Sequence, residues 1–285
     1  MTFNRTGQAM KFNQKILIIS HLFVLAQSNI IKIESRTTKD NLFDGVVEVI
    51  VKVWANFHPK VNFVDATETV EDHHSDDINK IVKRVCRISP VTFRIEKLKG
   101  LNYTPARLKR INIFLVETFK NVLEIVKKMD RKVFAFQGFY LIVLVDGKIP
   151  QVQEIFKLFW KIQIYNINVM FEDEKNSILV ETFFPFDKIK CGDTKAVAIN
   201  EFKEGKFTEG VENFFPQKMM NLHQCRLRVA TSNNSEPYIF AKKLTNGSYE
   251  LSGRDINLVK ALSQVLNFKI DFVFIGDEGF LYDNG

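Results

Sequence analysis

Three apolar runs decide the fold: INIFLV at residues 111–116, FYLIVLV at 139–145 and INVMF at 167–171. They begin 28 residues apart. Each gap holds an amphipathic segment of helical period, with Phe119, Val122, Leu123 and Val126 on one face of the first and Val152, Ile155, Phe156 and Phe159 on one face of the second. Parallel strands need a dozen or more residues to return, most simply through a helix. A run apolar on both sides, such as Phe139–Val145, suits a strand covered on both faces. The spacing therefore predicts an open α/β parallel sheet with helices packed on it.

Towards the N-terminus the same alternation continues. Val46, Val49, Ile50, Val53 and Phe57 keep helical spacing, Val61–Val64 reads as a strand, Ile78, Ile81, Val82 and Val85 resume a helix, and Val91–Ile95 a strand. The sheet should thus cover roughly residues 30–175. No G-x-G-x-x-G or G-x-x-x-x-G-K loop follows any of these strands, which leaves nucleotide binding without support. Beyond Phe171 the rhythm lapses, and residues 172–222 are expected to hold a closing strand and a connector.

At Leu227-Arg228-Val229-Ala230 alternation returns as a strand, and Asn246-Gly247-Ser248 supplies a turn. A helix follows over Arg254–Leu266, its buried face expected from Leu258, Val259, Leu262, Val265 and Leu266. A strand over Lys269–Phe274 comes next. Gly285 is reached before this second stretch has the elements to close a core. Residues 223–285 are accordingly not expected to be stable alone, whereas residues 30–213 are.

The chain has 285 residues, 46% hydrophobic and 26% charged, ordinary values that exclude collagen, coiled coil and general disorder. The net charge of +7 is spread along the sequence and identifies no partner by itself. Phenylalanine is abundant, 27 against 2 Trp and 6 Tyr, and is read as core material. The segment Phe156-Lys157-Leu158-Phe159-Trp160-Lys161 places its apolar side chains on one helical face and its lysines on the other, a core helix rather than a nucleic-acid platform. Neither G-x-S-x-G, H-E-x-x-H nor a cysteine in a nucleophile context is present, so no enzyme class and no cofactor is expected. Glu71-Asp72-His73-His74-Ser75-Asp76-Asp77 carries metal-competent side chains, but it precedes a helix that Ser75 or Asp76 would cap. It is read as a helix start and not as a metal site.

Arg5, Lys11 and Lys15 precede the apolar run Ile16–Ala26, and Ala26-Gln27-Ser28 offers small residues for cleavage, so residues 1–28 read as a signal peptide. Asn102-Tyr103-Thr104, Asn233-Asn234-Ser235 and Asn246-Gly247-Ser248 are glycosylation sequons that agree with export. The three cysteines form no C-x-x-C pair. Cys86 lies beside the apolar stripe of its helix and is expected as a buried thiol, while Cys191 and Cys225 lie in irregular segments and are paired in this reading.

From Phe214 onward the sequence resembles the arthropod ionotropic receptors, the chemosensory branch of the ionotropic glutamate receptors. The resemblance rests on Phe215-Pro216-Gln217-Lys218, Asn221-Leu222-His223 and Cys225, which lead into the strand Leu227–Thr231. It continues through Glu236-Pro237-Tyr238, Gly253-Arg254-Asp255-Ile256, Leu262, Leu266-Asn267-Phe268 and Gly276-Asp277-Glu278-Gly279. At Gln224-Cys225-Arg226 the chain departs from the family's usual Gly-Cys-Pro. The resemblance implies a divergent extracellular amino-terminal domain over residues 29–213 and a connector over 214–226. From 227 to 285 it implies the incomplete first half of a periplasmic-binding-protein-like clamshell. It also implies a small-molecule chemosensory ligand, with Tyr238 lining the cleft or anchoring its loop, and co-receptor subunits of the same family in a hetero-oligomeric, cation-conducting channel. The parent receptor would lie in the plasma membrane of sensory neurons, this segment outside and the membrane reached only through parts beyond Gly285. No nucleic-acid partner is implied. A secreted, soluble α/β small-molecule-binding protein without a pore is the other reading.

Overall fold

Three helices, at His73–Ile88, Phe119–Lys128 and Val152–Lys161, link successive strands of one sheet, and they answer to the crossovers that parallel strands require. In a computed structural model of the chain the described residues are 38–54, 60–67, 73–100, 109–147, 150–231, 237–247 and 249–274. The expected signal segment 1–28, Phe57, the sequon residues Asn102 and Asn233, and the 276–279 loop lie outside them.

Helix α1 covers Thr38–Val49 and widens into a π-helical turn at Ile50–Trp54; β1 is Lys60–Asp65, α2 His73–Ile88, β2 Thr92–Lys97, β3 Lys109–Val116 and α3 Phe119–Lys128. Next come β4 (Phe134–Leu144), α4 (Val152–Lys161), β5 (Ile167–Glu172), β6 (Ile178–Thr182), β7 (Val197–Lys203) and β8 (Lys206–Phe207). The eight strands form one sheet in the order β2-β1-β3-β4-β5-β6-β7-β8, of which the first five are mutually parallel. The last three run antiparallel.

Alternation along each strand feeds two cores. Phe63, Ile113, Leu115, Leu141, Val143 and Met170 face α1 and α2, which contribute Val46, Ile50, Ile78, Ile81 and Val85. On the opposite face Val64, Phe114, Val116, Ile142, Leu144, Val169 and Phe171 meet Val122 and Ile125 of α3 and Ile155, Phe156 and Phe159 of α4. Each such side chain removed from water contributes about 1.5–3 kcal/mol, which is why the central strands read as continuous apolar runs.

Strand β4 starts five residues before the apolar run does. Its first part pairs irregularly with β3, the register shifting between Lys109 and Ile111. Gly138 makes this possible: a Cβ there would collide with the Arg110 carbonyl oxygen and sit 2.8 Å from that of Ala135.

The interval 172–222 is more regular than the sequence suggested, since it holds three antiparallel strands instead of one closing strand. Turns at Asp173–Ser177 and Glu204-Gly205 reverse the chain, with positive φ at Asn176 (58°), Glu204 (52°) and Gly205 (81°). Helix α2 begins at His73, so Ser75 and Asp76 lie inside its first turn and do not cap it. Cys86 is exposed, contrary to expectation: it falls one residue past Val85, where the helix turns from the sheet to solvent.

A second, smaller arrangement follows. Strand β9 (Arg226–Thr231) pairs parallel with β12 (Lys269–Phe274), a hairpin of β10 (Phe240–Lys243) and β11 (Tyr249–Ser252) intervenes, and helix α5 (Arg254–Leu266) connects the hairpin to β12. The predicted ends of α5 and β12 are those observed. The predicted buried face of α5 is not: Ile256 is buried, but Leu258, Leu262 and Val265 are 58%, 44% and 75% exposed. Two strands are too narrow a platform to cover the whole stripe. Among the described residues no helix is long and apolar enough to cross a membrane.

Candidate functional site

Open α/β sheets bind ligands outside the carboxyl ends of their strands, where successive connections leave in opposite directions. Here that point falls between β1 and β3, because the chain moves outward from β1 to β2 and then returns to β3. Asp65 ends β1 and accepts hydrogen bonds through Oδ1 from the Thr67 amide (3.1 Å) and hydroxyl (2.7 Å). The neighbouring Ala66 amide donates to Leu115 O at 3.0 Å. Beyond β3, Thr118 caps α3: its amide and hydroxyl donate to Asn121 Oδ1 at 2.9 and 2.8 Å, and its hydroxyl accepts from the Asn121 amide at 3.4 Å. The carboxyl ends of β1 and β3 therefore bring together hydroxyls, amides and the Asp65 carboxylate.

A second polar group lies at the start of α5. The half-exposed Tyr238 ring carries the Arg254 guanidinium 4.3 Å from its centroid, and Arg254 Nε donates to Asp255 Oδ1 at 3.2 Å. The Asp255 amide donates to Tyr238 O at 3.1 Å. Gly253, with φ 112°, holds the two segments together, for a Cβ there would strike the Tyr238 carbonyl. An aromatic face, a guanidinium, a carboxylate and the N-terminal turn of a 13-residue helix thus share one exposed corner. Such a set can receive a small polar molecule with an anionic group.

The strap between the two arrangements, residues 208–225, is tied at several points. Asn168 Nδ2 donates to Phe214 O, and Phe215 stacks on Trp54 at 5.7 Å and tilts against Phe139 at 4.9 Å. Lys218 is buried: its ammonium donates to Tyr165 O (2.7 Å) and to the Thr182 hydroxyl (2.6 Å), beneath the Phe183 ring at 4.7 Å. That hydroxyl in turn donates to Ile167 O at 2.6 Å. Burial pushes the Lys218 ammonium down to about 7. Cys191 and Cys225 form a disulfide that fastens the strap's far end, their Cα atoms 5.7 Å apart.

Of the residues singled out in the sequence, Tyr238, Cys191, Cys225 and Asn246 fall within the described residues, Asn246 in the exposed turn before Gly247. Arg254 as a ring partner, the Asp65–Thr67 turn and the buried Lys218 were not anticipated. An Asp-x-Thr after an apolar run is a signal for the second of these; the other two depend on long-range contacts. Among the described residues no three side chains of His, Cys, Asp or Glu are grouped to hold a metal ion.

Residues 33–221 match the family model described as "Putative ionotropic receptor, ligand binding domain". The match takes in all eight strands of the large sheet and most of the strap, and stops before β9. A search among curated proteins finds no match.

Proposed function

Since the chain belongs to the ionotropic receptor ligand-binding-domain family, we propose that it is the extracellular, ligand-binding portion of a chemosensory channel subunit. In this reading agonist binding closes a clamshell and the domain motion opens a cation-conducting pore supplied by the full-length protein and its co-receptor subunits. The family match over a mostly parallel sheet carries the proposal. The disulfide agrees with it, because such bonds persist in oxidising compartments. Cleavage after residue 28 and glycans at Asn102, Asn233 and Asn246 belong to the same proposal.

The proposed division keeps residues 29–213 as an amino-terminal domain, 214–226 as connector and 227–285 as the opening of a second lobe. The ligand is assigned to the corner of Tyr238 and Arg254. One observation favours a different placement: the matched residues 33–221 include the crevice at Asp65 and Thr67 and exclude Tyr238. The two placements are separable.

The full-length gene product, expressed with a co-receptor subunit, should give cation currents in response to a small-molecule panel. Tyr238→Ala should weaken the effective ligand roughly tenfold or more while Thr67→Val leaves it unchanged. The reverse pattern would move the site to the sheet crevice. A transcript that encodes no apolar span of about 20 residues beyond codon 285 would favour the secreted binding protein.

A further inference from the structure

The large sheet ends differently on its two sides. On one, β8 is two residues long; on the other, β2 presents a six-residue edge with no further strand among the described residues. Long exposed edges are templates for pairing, and proteins blunt them with charge or use them. The sequence of β2, Thr-Phe-Arg-Ile-Glu-Lys, allows these two outcomes to be told apart.

We propose that β2 pairs antiparallel with β2 of a second copy of this chain about a two-fold axis through Ile95, joining two eight-stranded sheets into one. In that register Ile95 meets Ile95, Arg94 of each copy faces Glu96 of the other, and Phe93 faces Lys97. Directly opposed cross-strand side chains lie with Cβ atoms about 4.5–5.5 Å apart, close enough for both reciprocal ion pairs to form. Shifting the axis to Arg94, Glu96 or Lys97 sets like charges against each other. An axis at Phe93 leaves Arg94 opposite Thr92. Only the Ile95 centre opposes unlike charges and places an apolar pair on the axis.

The surface itself agrees. Ile95 is 48% exposed at the middle of the edge. Glu96 is already oriented, accepting from Arg94 (2.8 Å) on one oxygen and Lys109 (2.5 Å) on the other. The Arg94 side chain is 45% exposed and that of Glu96 10%, so the incoming guanidinium meets only the outer side of a carboxylate already held by two cations. An isologous contact of this kind closes as a dimer and does not propagate.

The purified chain with its disulfide intact should sediment as a concentration-dependent dimer. Ile95→Lys sets two ammonium groups on the axis and should weaken association at least about tenfold, with a melting temperature unchanged at dilutions where both chains are monomeric. A cysteine in the Cys86→Ser background reports the register. Ile95→Cys should cross-link to itself on mild oxidation, while Phe93→Cys and Lys97→Cys should cross-link only to one another when mixed. A chain that stays monomeric, a dimer indifferent to Ile95→Lys, or self-cross-linking at 93 or 97 in preference to 95 would overturn the proposal. The first of these would assign Arg94, Glu96 and Lys97 to guarding the edge instead.

Discussion

The large sheet and the β9–β12 pair use the same unit, parallel strands with a connecting helix, yet their helices differ in what they cover. On α4, Ile155, Phe156 and Phe159 are wholly buried between the sheet and neighbouring side chains. On α5 a stripe of similar composition is mostly open to solvent. An amphipathic pattern states that a helix has an apolar side; how much of it becomes core depends on the width of the layer beneath.

Matched truncations test this contrast most strongly. Phe156→Ala removes a wholly buried ring from between α4 and the sheet and should lower stability by about 3–5 kcal/mol, measured by denaturant unfolding. A loss under about 1 kcal/mol would mean that the second core is far looser than its burial implies.

Next in size is the double replacement Cys191→Ser with Cys225→Ser. The bond closes a 34-residue interval, and removing it should cost about 3–4 kcal/mol in the chain-entropy account. Amide exchange should accelerate chiefly in β9 and β12, with β3 and β4 unchanged. Equal acceleration everywhere would show that the two regions unfold as one.

The strap's lysine gives a smaller, pH-dependent effect. Lys218 titrates near 7 in the folded chain against 10.5 for an exposed ammonium, so between those values the unfolded chain holds more protons and stability rises with pH. Between pH 7.5 and 9.5 the expected rise is about 1 kcal/mol per unit. Lys218→Met should flatten it, and a wild-type stability that falls across this interval would reverse the assignment.

The smallest expected change is at Leu262→Ala, about 0.5 kcal/mol, because the residue is 44% exposed. A cost like that of Phe156→Ala would mean that the α5 stripe is covered in solution.

Much of the fold was legible in the sequence for a physical reason. Strands β3, β4 and β5 are buried on both faces, so their composition announces them, and the 28-residue interval announces the crossovers. Where β6 to β8 lie only one closing strand was expected, because antiparallel strands are marked by their turns. The signals were present at Asp173–Ser177 and at Glu204-Gly205, where backbone of positive φ reverses the chain. The exposed stripe of α5 and the outward Cys86 show the limit of periodicity, which gives a side chain's direction but not its cover. In the candidate site Tyr238 was readable through family resemblance, whereas its partner Arg254 sits 16 residues away and is brought to the ring only by the hairpin between them. Lys218 was the least legible, since lysine is ordinarily a surface residue and only the folded strap places its ammonium among carbonyl and hydroxyl oxygens.

The disulfide also decides how tension would travel through the molecule. A pull applied at β9 passes from Cys225 straight into Cys191, leaving the 34-residue interval between them unloaded. Its covalent shortcut withholds roughly 110 Å of contour length from any forced extension of the oxidised chain. Phe214, Phe215 and Lys218 consequently stay docked under load, and the second region acts on the large sheet through a short, stiff lever instead of a slack tether.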